Sequence, residues 1–145
     1  MGDAVPHVLI VGAGDTGLSL ATMLSSAGLR VSTLNRSGRS IDAATALVGD
    51  LADSASLMGS PSADVVVFTT APPSRDDEGY RTAYLDGPQR LLDALPTEPA
   101  RAVLTSTTGV YGADDGRWVT ATTPPDPSRS TAAIVVEGEA ALARR

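Results

Sequence analysis

A chain of 145 residues, 42% hydrophobic and 19% charged, has the size and make-up of one globular domain with a sizeable core. Its net charge of −6 argues against nucleic acid or an anionic membrane surface as main partner. No apolar run approaches the ~20 residues of a membrane span, and the N-terminus lacks the basic flank and long apolar region of a signal peptide, so cytoplasm is the expected compartment. Cysteine and lysine are absent and His7 is the only histidine. That excludes disulfides, thiol chemistry and a His–His metal pair, and no metal site is expected.

In chain order, the apolar run Val8 to Val11 reads as a strand buried on both faces, as in a parallel sheet, with His7 opening it. Gly12, Gly14 and Gly17 follow at the G-x-G-x-x-G spacing, and a helical stripe opens after them. In such a strand–turn–helix frame the first glycine permits the tight turn, the second lets the backbone approach a pyrophosphate, and the third lets helix and strand pack closely. The helix N-terminus favours the phosphate charge, and Asp15 and Thr16 of the same turn are counted with the glycines as cofactor-binding candidates. A plain turn between strand and helix is the alternative.

Leu18, Leu20, Ala21, Met23, Leu24 and Ala27 predict a helix that stops at Gly28, and Leu29 to Leu34 predicts a second strand. An acid at the end of that strand would suit the ribose hydroxyls of NAD, and an arginine the 2′-phosphate of NADP. Here Asn35 and Arg36 occupy the place, with Ser37 and Arg39 following and no acid between Arg30 and Ile41. NADP is therefore expected over NAD.

Thr45 to Gly49 reads as a third strand ending at Asp50-Leu51, Asp53 to Met58 as a short helical turn, and Asp64 to Thr70 as a fourth strand. Tyr80 to Leu95 is helical in pattern, with a kink or restart expected at Gly87-Pro88. Ala102 to Thr107 is a fifth strand, a long loop follows, and Thr131 to Arg145 is a last helix. Trp118 in that loop is expected to pack rather than to stack on a ligand. Strands alternating with helices imply an α/β, doubly wound, three-layer parallel sheet of about five strands, ordered 3-2-1-4-5, in a single Rossmann-like domain over residues 1–145.

VLTSTTGVYG, together with GAGDTG, GDLAD and YLDG, makes the chain resemble an extended or atypical short-chain dehydrogenase/reductase, the family of NAD-dependent epimerases and dehydratases acting on nucleotide sugars. The resemblance covers about the N-terminal half of a typical member, without its C-terminal substrate domain. It implies that Gly12, Gly14 and Gly17 hold the pyrophosphate, that Asn35 and Arg36 lie at the adenosine ribose, and that Asp50 and Leu51 lie beside the adenine. Thr70 and Ala71 would line the ribose and nicotinamide side. Thr107 would take the place of the catalytic Ser/Thr.

The chain departs from the family where chemistry is concerned. The family's tyrosine acid/base falls on Thr131 and its lysine on Val135, and no lysine exists to lower a tyrosine pKa toward neutrality. Four readings stay open. The chain is an NAD(P)-binding domain without the standard active site; an oxidoreductase or isomerase using Thr107, Tyr111, Asp114 or Asp115; a non-catalytic NADP(H) sensor or regulatory partner; or a fragment that binds nothing. A sheet ending at the fifth strand also leaves an edge that a dimer mate or partner chain is expected to cover.

Overall fold

The computed structural model describes residues 4–112 and 115–145. Five parallel strands, β1 (His7–Val11), β2 (Arg30–Asn35), β3 (Thr45–Val48), β4 (Val65–Phe68) and β5 (Arg101–Leu104), form one sheet in the order β3-β2-β1-β4-β5. Helices α1 (Asp15–Ser26), α2 (Ser54–Leu57), α3 (Asp77–Tyr80), α4 (Asp86–Ala94) and α5 (Ser130–Ala143) complete it. The expected doubly wound fold and strand order are what the chain adopts.

The central strands are continuous apolar runs because both faces are covered. Val8 and Ile10 meet α1 through Ala21, while Leu9 and Val11 join Val66, Phe68, Leu57, Leu91 and Leu92 on the opposite face. That second face carries the larger core. On the α1 face the cover thins toward β5, where Val65 and Val67 are half-buried and Val103 is 47% exposed.

Register lines up the strand ends. Leu47, Leu34, Val11, Phe68 and Leu104 form one row across the sheet. The next residues, Val48, Asn35, Gly12, Thr69 and Thr105, therefore begin a common C-terminal rim. The ordering point between β1 and β4 is where such sheets open a crevice.

His7 is buried at the opposite end. Its Nδ1 lies 2.7 Å from the Ser62 carbonyl oxygen and must donate to it, which leaves Nε2 to accept from Ser32 Oγ at 2.8 Å. The ring is a cross-link between β1, β2 and the segment before β4. A His7→Phe variant should lose about 1–3 kcal/mol of stability, because Ser32 Oγ and the Ser62 carbonyl would be left unpaired; a urea melt with an unchanged midpoint would contradict this.

Three expectations are corrected. Helix α1 starts at Asp15, so Gly17 lies inside its first turn rather than before it. The irregularity expected at Gly87-Pro88 falls one turn earlier, as a π-helical segment over Arg81–Leu85 joining α3 to α4. Pro88 has no N–H to return to the Tyr84 carbonyl, and the wider turn before it relieves the clash. Trp118 does not pack: it is 96% exposed, on a loop whose ends are closed by the Asp126 N–H donating to the Val110 carbonyl at 2.7 Å.

Candidate functional site

A cleft of about 410 Å³ opens on the C-terminal rim of the sheet. Its walls come from the β1–α1 turn (Gly12, Ala13, Gly14), the end of β2 (Asn35, Arg36, Ser37, Arg39), the end of β3 (Gly49, Asp50, Leu51), the end of β4 (Thr69, Thr70, Ala71, Pro73) and the π segment (Thr82, Ala83). Of the residues singled out from the sequence, Gly12, Gly14, Asn35, Arg36, Asp50, Leu51, Thr70 and Ala71 are thus brought together. Asp15 and Thr16 are exposed in the first turn of α1 and are not part of the walls, and Gly17 is buried beneath them.

The glycines differ in what they do. Gly12 has φ +103°, and a Cβ there would stand 3.0 Å from the Thr69 carbonyl carbon. Gly17 packs against the Gly12 carbonyl, with Thr69 Oγ1 also in the way of any Cβ. Gly14 has an ordinary backbone, φ −79°, and nothing lies within 4 Å of where its Cβ would be. That open space is beside the α1 N-terminus, whose first amides have no carbonyl partner within the helix.

Thr69, not singled out from the sequence, locks the turn: its hydroxyl shares a proton between the Gly12 carbonyl at 3.0 Å and the Val11 carbonyl at 3.2 Å. Its neighbour Thr70 donates to the Ala83 carbonyl at 3.3 Å and so ties the end of β4 to the π segment. Asp50 Oδ1 accepts from the Ala52 N–H at 2.9 Å, and Arg90 Nη1 donates to the Leu51 carbonyl at 3.1 Å, holding that wall from α4.

The Asn35 amide is turned inward on its own loop. Oδ1 accepts from the Ser37 N–H at 3.2 Å, the Ser37 hydroxyl at 3.0 Å and the Arg39 N–H at 2.9 Å, while Nδ2 donates to the Arg39 carbonyl at 2.7 Å. Asn35 therefore shapes the loop that carries Arg36 and Arg39 to the cleft. Among the described residues neither arginine joins an ion pair. Two arginines without carboxylate partners among the described residues thus belong to the cleft wall of an acidic protein, and a guanidinium is a charge-assisted donor suited to phosphate.

Those residues considered for catalysis that the structure describes lie outside these walls. Thr107 caps the 3-10 turn Thr108–Val110, its Oγ1 accepting from the Gly109 N–H at 3.1 Å. Tyr111 is half-buried and donates weakly to the Thr120 carbonyl at 3.4 Å. Asp115 is exposed and engaged by Arg117 at 3.4 Å, and Asp114 lies outside the described residues. Val135 is fully buried against Ala83, Tyr84 and Val110, and Thr131 is half-buried at the start of α5. Tyr84 is a poor acid or base near neutrality, because burial, with Tyr80 adding to it, pushes its phenol above the usual range. Among the described residues no group of three His, Asp or Glu is placed to hold a metal ion, and no helix is long and apolar enough to cross a membrane.

Comparison with known proteins agrees with this architecture. The model of a family described as FAD binding domain matches residues 6–50, the β1–α1–β2–β3 unit. No curated protein matches the chain. Among solved structures, a protein from Methylobacillus flagellatus assigned as an NAD-dependent epimerase/dehydratase superposes with a TM-score of 0.78 at 28% identity, over 97% of this chain and 51% of its own. A protein from Burkholderia cenocepacia assigned as an epimerase gives 0.74 at 25% identity, over 97% and 50%. MoeE5, solved with UDP-glucose and NAD, gives 0.73 at 25% identity, over 96% and 50%. The chain spans about half the length of these structures, and what it shares with them is the Rossmann-like α/β fold.

Proposed function

We propose that this chain is a nicotinamide-dinucleotide-binding domain of epimerase/dehydratase type that favours NADP(H) over NAD(H) and lacks the Tyr–Lys proton relay. The observation that carries the reading is that an open glycine turn and an arginine loop line one and the same cleft. Gly12, Gly14 and the first turn of α1 would hold the pyrophosphate, Asp50 and Leu51 the adenine, Arg36 and Arg39 the 2′-phosphate, and Thr70 and Ala71 the nicotinamide side. A bound nicotinamide would supply hydride transfer.

The FAD-type match over residues 6–50 fits the same βαβ unit. The end of β2 favours NADP over FAD, since it offers no acid for an unphosphorylated ribose. A non-catalytic sensing or regulatory role is the second reading, favoured by the fully buried Val135 at the place of the family's lysine. The open β5 edge and the half-covered Val65, Val67 and Val103 support the expectation that a dimer mate or a partner chain covers that side.

Calorimetric titration with NADPH, NADH and FAD tests the reading. Trp118 fluorescence is a poor probe because the ring is exposed and not part of the cleft. Saturable binding with NADPH tightest is the expected result, and tighter FAD, or no binding, would overturn it. Arg36→Ala should weaken NADPH about tenfold or more, a hydrogen bond to a charged group being worth roughly 1.5–3 kcal/mol. NADH should be nearly unaffected; equal losses would remove the 2′-phosphate assignment.

A further inference from the structure

The π segment Arg81–Leu85 contributes Thr82 and Ala83 to the cleft, and several features hold its wide turn open. The Asp86 N–H donates to the Arg81 carbonyl, five residues back, instead of four. Pro88 cannot donate to the Tyr84 carbonyl, and that oxygen is packed against Gly138 of α5, where any Cβ would collide with it. Gly87 leaves room for the Thr82 carbonyl and for Leu51 Cβ, which would be 2.8 Å from a side chain there. Glycine and proline both disfavour a helix interior, so a plain α-helix would be better built without them.

The wide turn matters for the cleft because it holds one extra residue. Closing it to α geometry would rotate everything before it by about 100°, one residue's share of a 3.6-residue turn. As it stands, Thr82 and Ala83 form cleft wall, between Leu51 on one side and Thr70, bonded to the Ala83 carbonyl, on the other. Thr82 is half-buried there, and its hydroxyl makes no hydrogen bond to another described residue. Other threonines of this rim, Thr69, Thr70 and Thr105, all spend theirs on backbone carbonyls. π turns recur at functional sites for this reason: they re-aim a side chain without breaking the helix.

We propose that Thr82 is a ligand-contacting residue, presented by the π turn so that its hydroxyl bonds a ribose or phosphate oxygen of the bound dinucleotide. The assignment rests on the dinucleotide reading above. The test is calorimetry of wild type, Thr82→Val and Thr82→Ser with NADPH and with 5′-ADP. Valine keeps the shape and branching of threonine and removes only the hydroxyl, so both variants should melt with wild type. Thr82→Val should weaken NADPH about fivefold, the size of one neutral hydrogen bond, and Thr82→Ser should restore most of it. An equal loss for 5′-ADP places the bond in the adenosine half, and a loss for NADPH alone places it in the nicotinamide half. If wild type binds NADPH and Thr82→Val binds it equally well, or if serine and valine behave alike, the contact does not exist. A wild type that binds neither probe would instead bring down the dinucleotide reading itself.

Discussion

A Gly14→Val variant should fold and should lose NADPH binding by about a hundredfold or more, close to 3 kcal/mol. The residue has φ −79°, which any amino acid adopts, and its Cβ would enter space with no protein atom within 4 Å. Valine is a poorer N-cap than glycine, so stability should fall by no more than about 1 kcal/mol. What valine does fill is the part of the cleft beside the free amides of α1, where the phosphate is proposed to sit. Folding read by circular dichroism and binding read by calorimetry should therefore separate. Binding as tight as wild type would show that the backbone at Gly14 does not approach the ligand.

The opposite pattern is expected at Gly17, in the same motif. Its missing Cβ is occupied by the Gly12 carbonyl and, at 2.8 Å, by Thr69 Oγ1. Neither can move cheaply. Gly12 is held at φ +103° with its N–H bonded to the Leu34 carbonyl at 2.9 Å, and its own carbonyl accepts from Thr69. Gly17→Ala should then destabilise by about 3 kcal/mol, the upper end for overpacking, a fall of roughly 10 °C in Tm for a chain of this size. Affinity should drop as well, because α1 would be pushed off the β1 turn. A thermal melt that matches wild type would mean that helix and strand are not in the contact described.

These two glycines mark what could be read in advance. The spacing Gly12, Gly14, Gly17 identifies a strand–turn–helix and gives each glycine its role, but not the atoms that a side chain would meet at each position. Those contacts come from which glycine faces Thr69 and which faces open space, and Thr69 directly follows β4, more than fifty residues away. Asn35 is similar. Its place at the end of β2 was legible, and so was the lack of an acid. That its amide closes on Ser37 and Arg39 depends on the loop's backbone path, with Gly38 at φ +68°. Thr107 and Tyr111 stand at the expected places in the chain yet lie outside the cleft walls.

The sequence by itself determined the βαβ alternation, the continuous apolar runs of β1 and β4, the strand order and the glycine turn. All but the strand order, which follows from the fold-level rule for alternating strands and helices, are local properties: side-chain periodicity and conformational freedom. Only the tertiary structure decided that Thr69 locks the turn, that the Gly87-Pro88 pair is accommodated by a π turn carrying Thr82 into the cleft, and that Trp118 stays in solvent. Each of these depends on contacts between residues far apart in the chain, formed only once register has brought five strand ends to one rim.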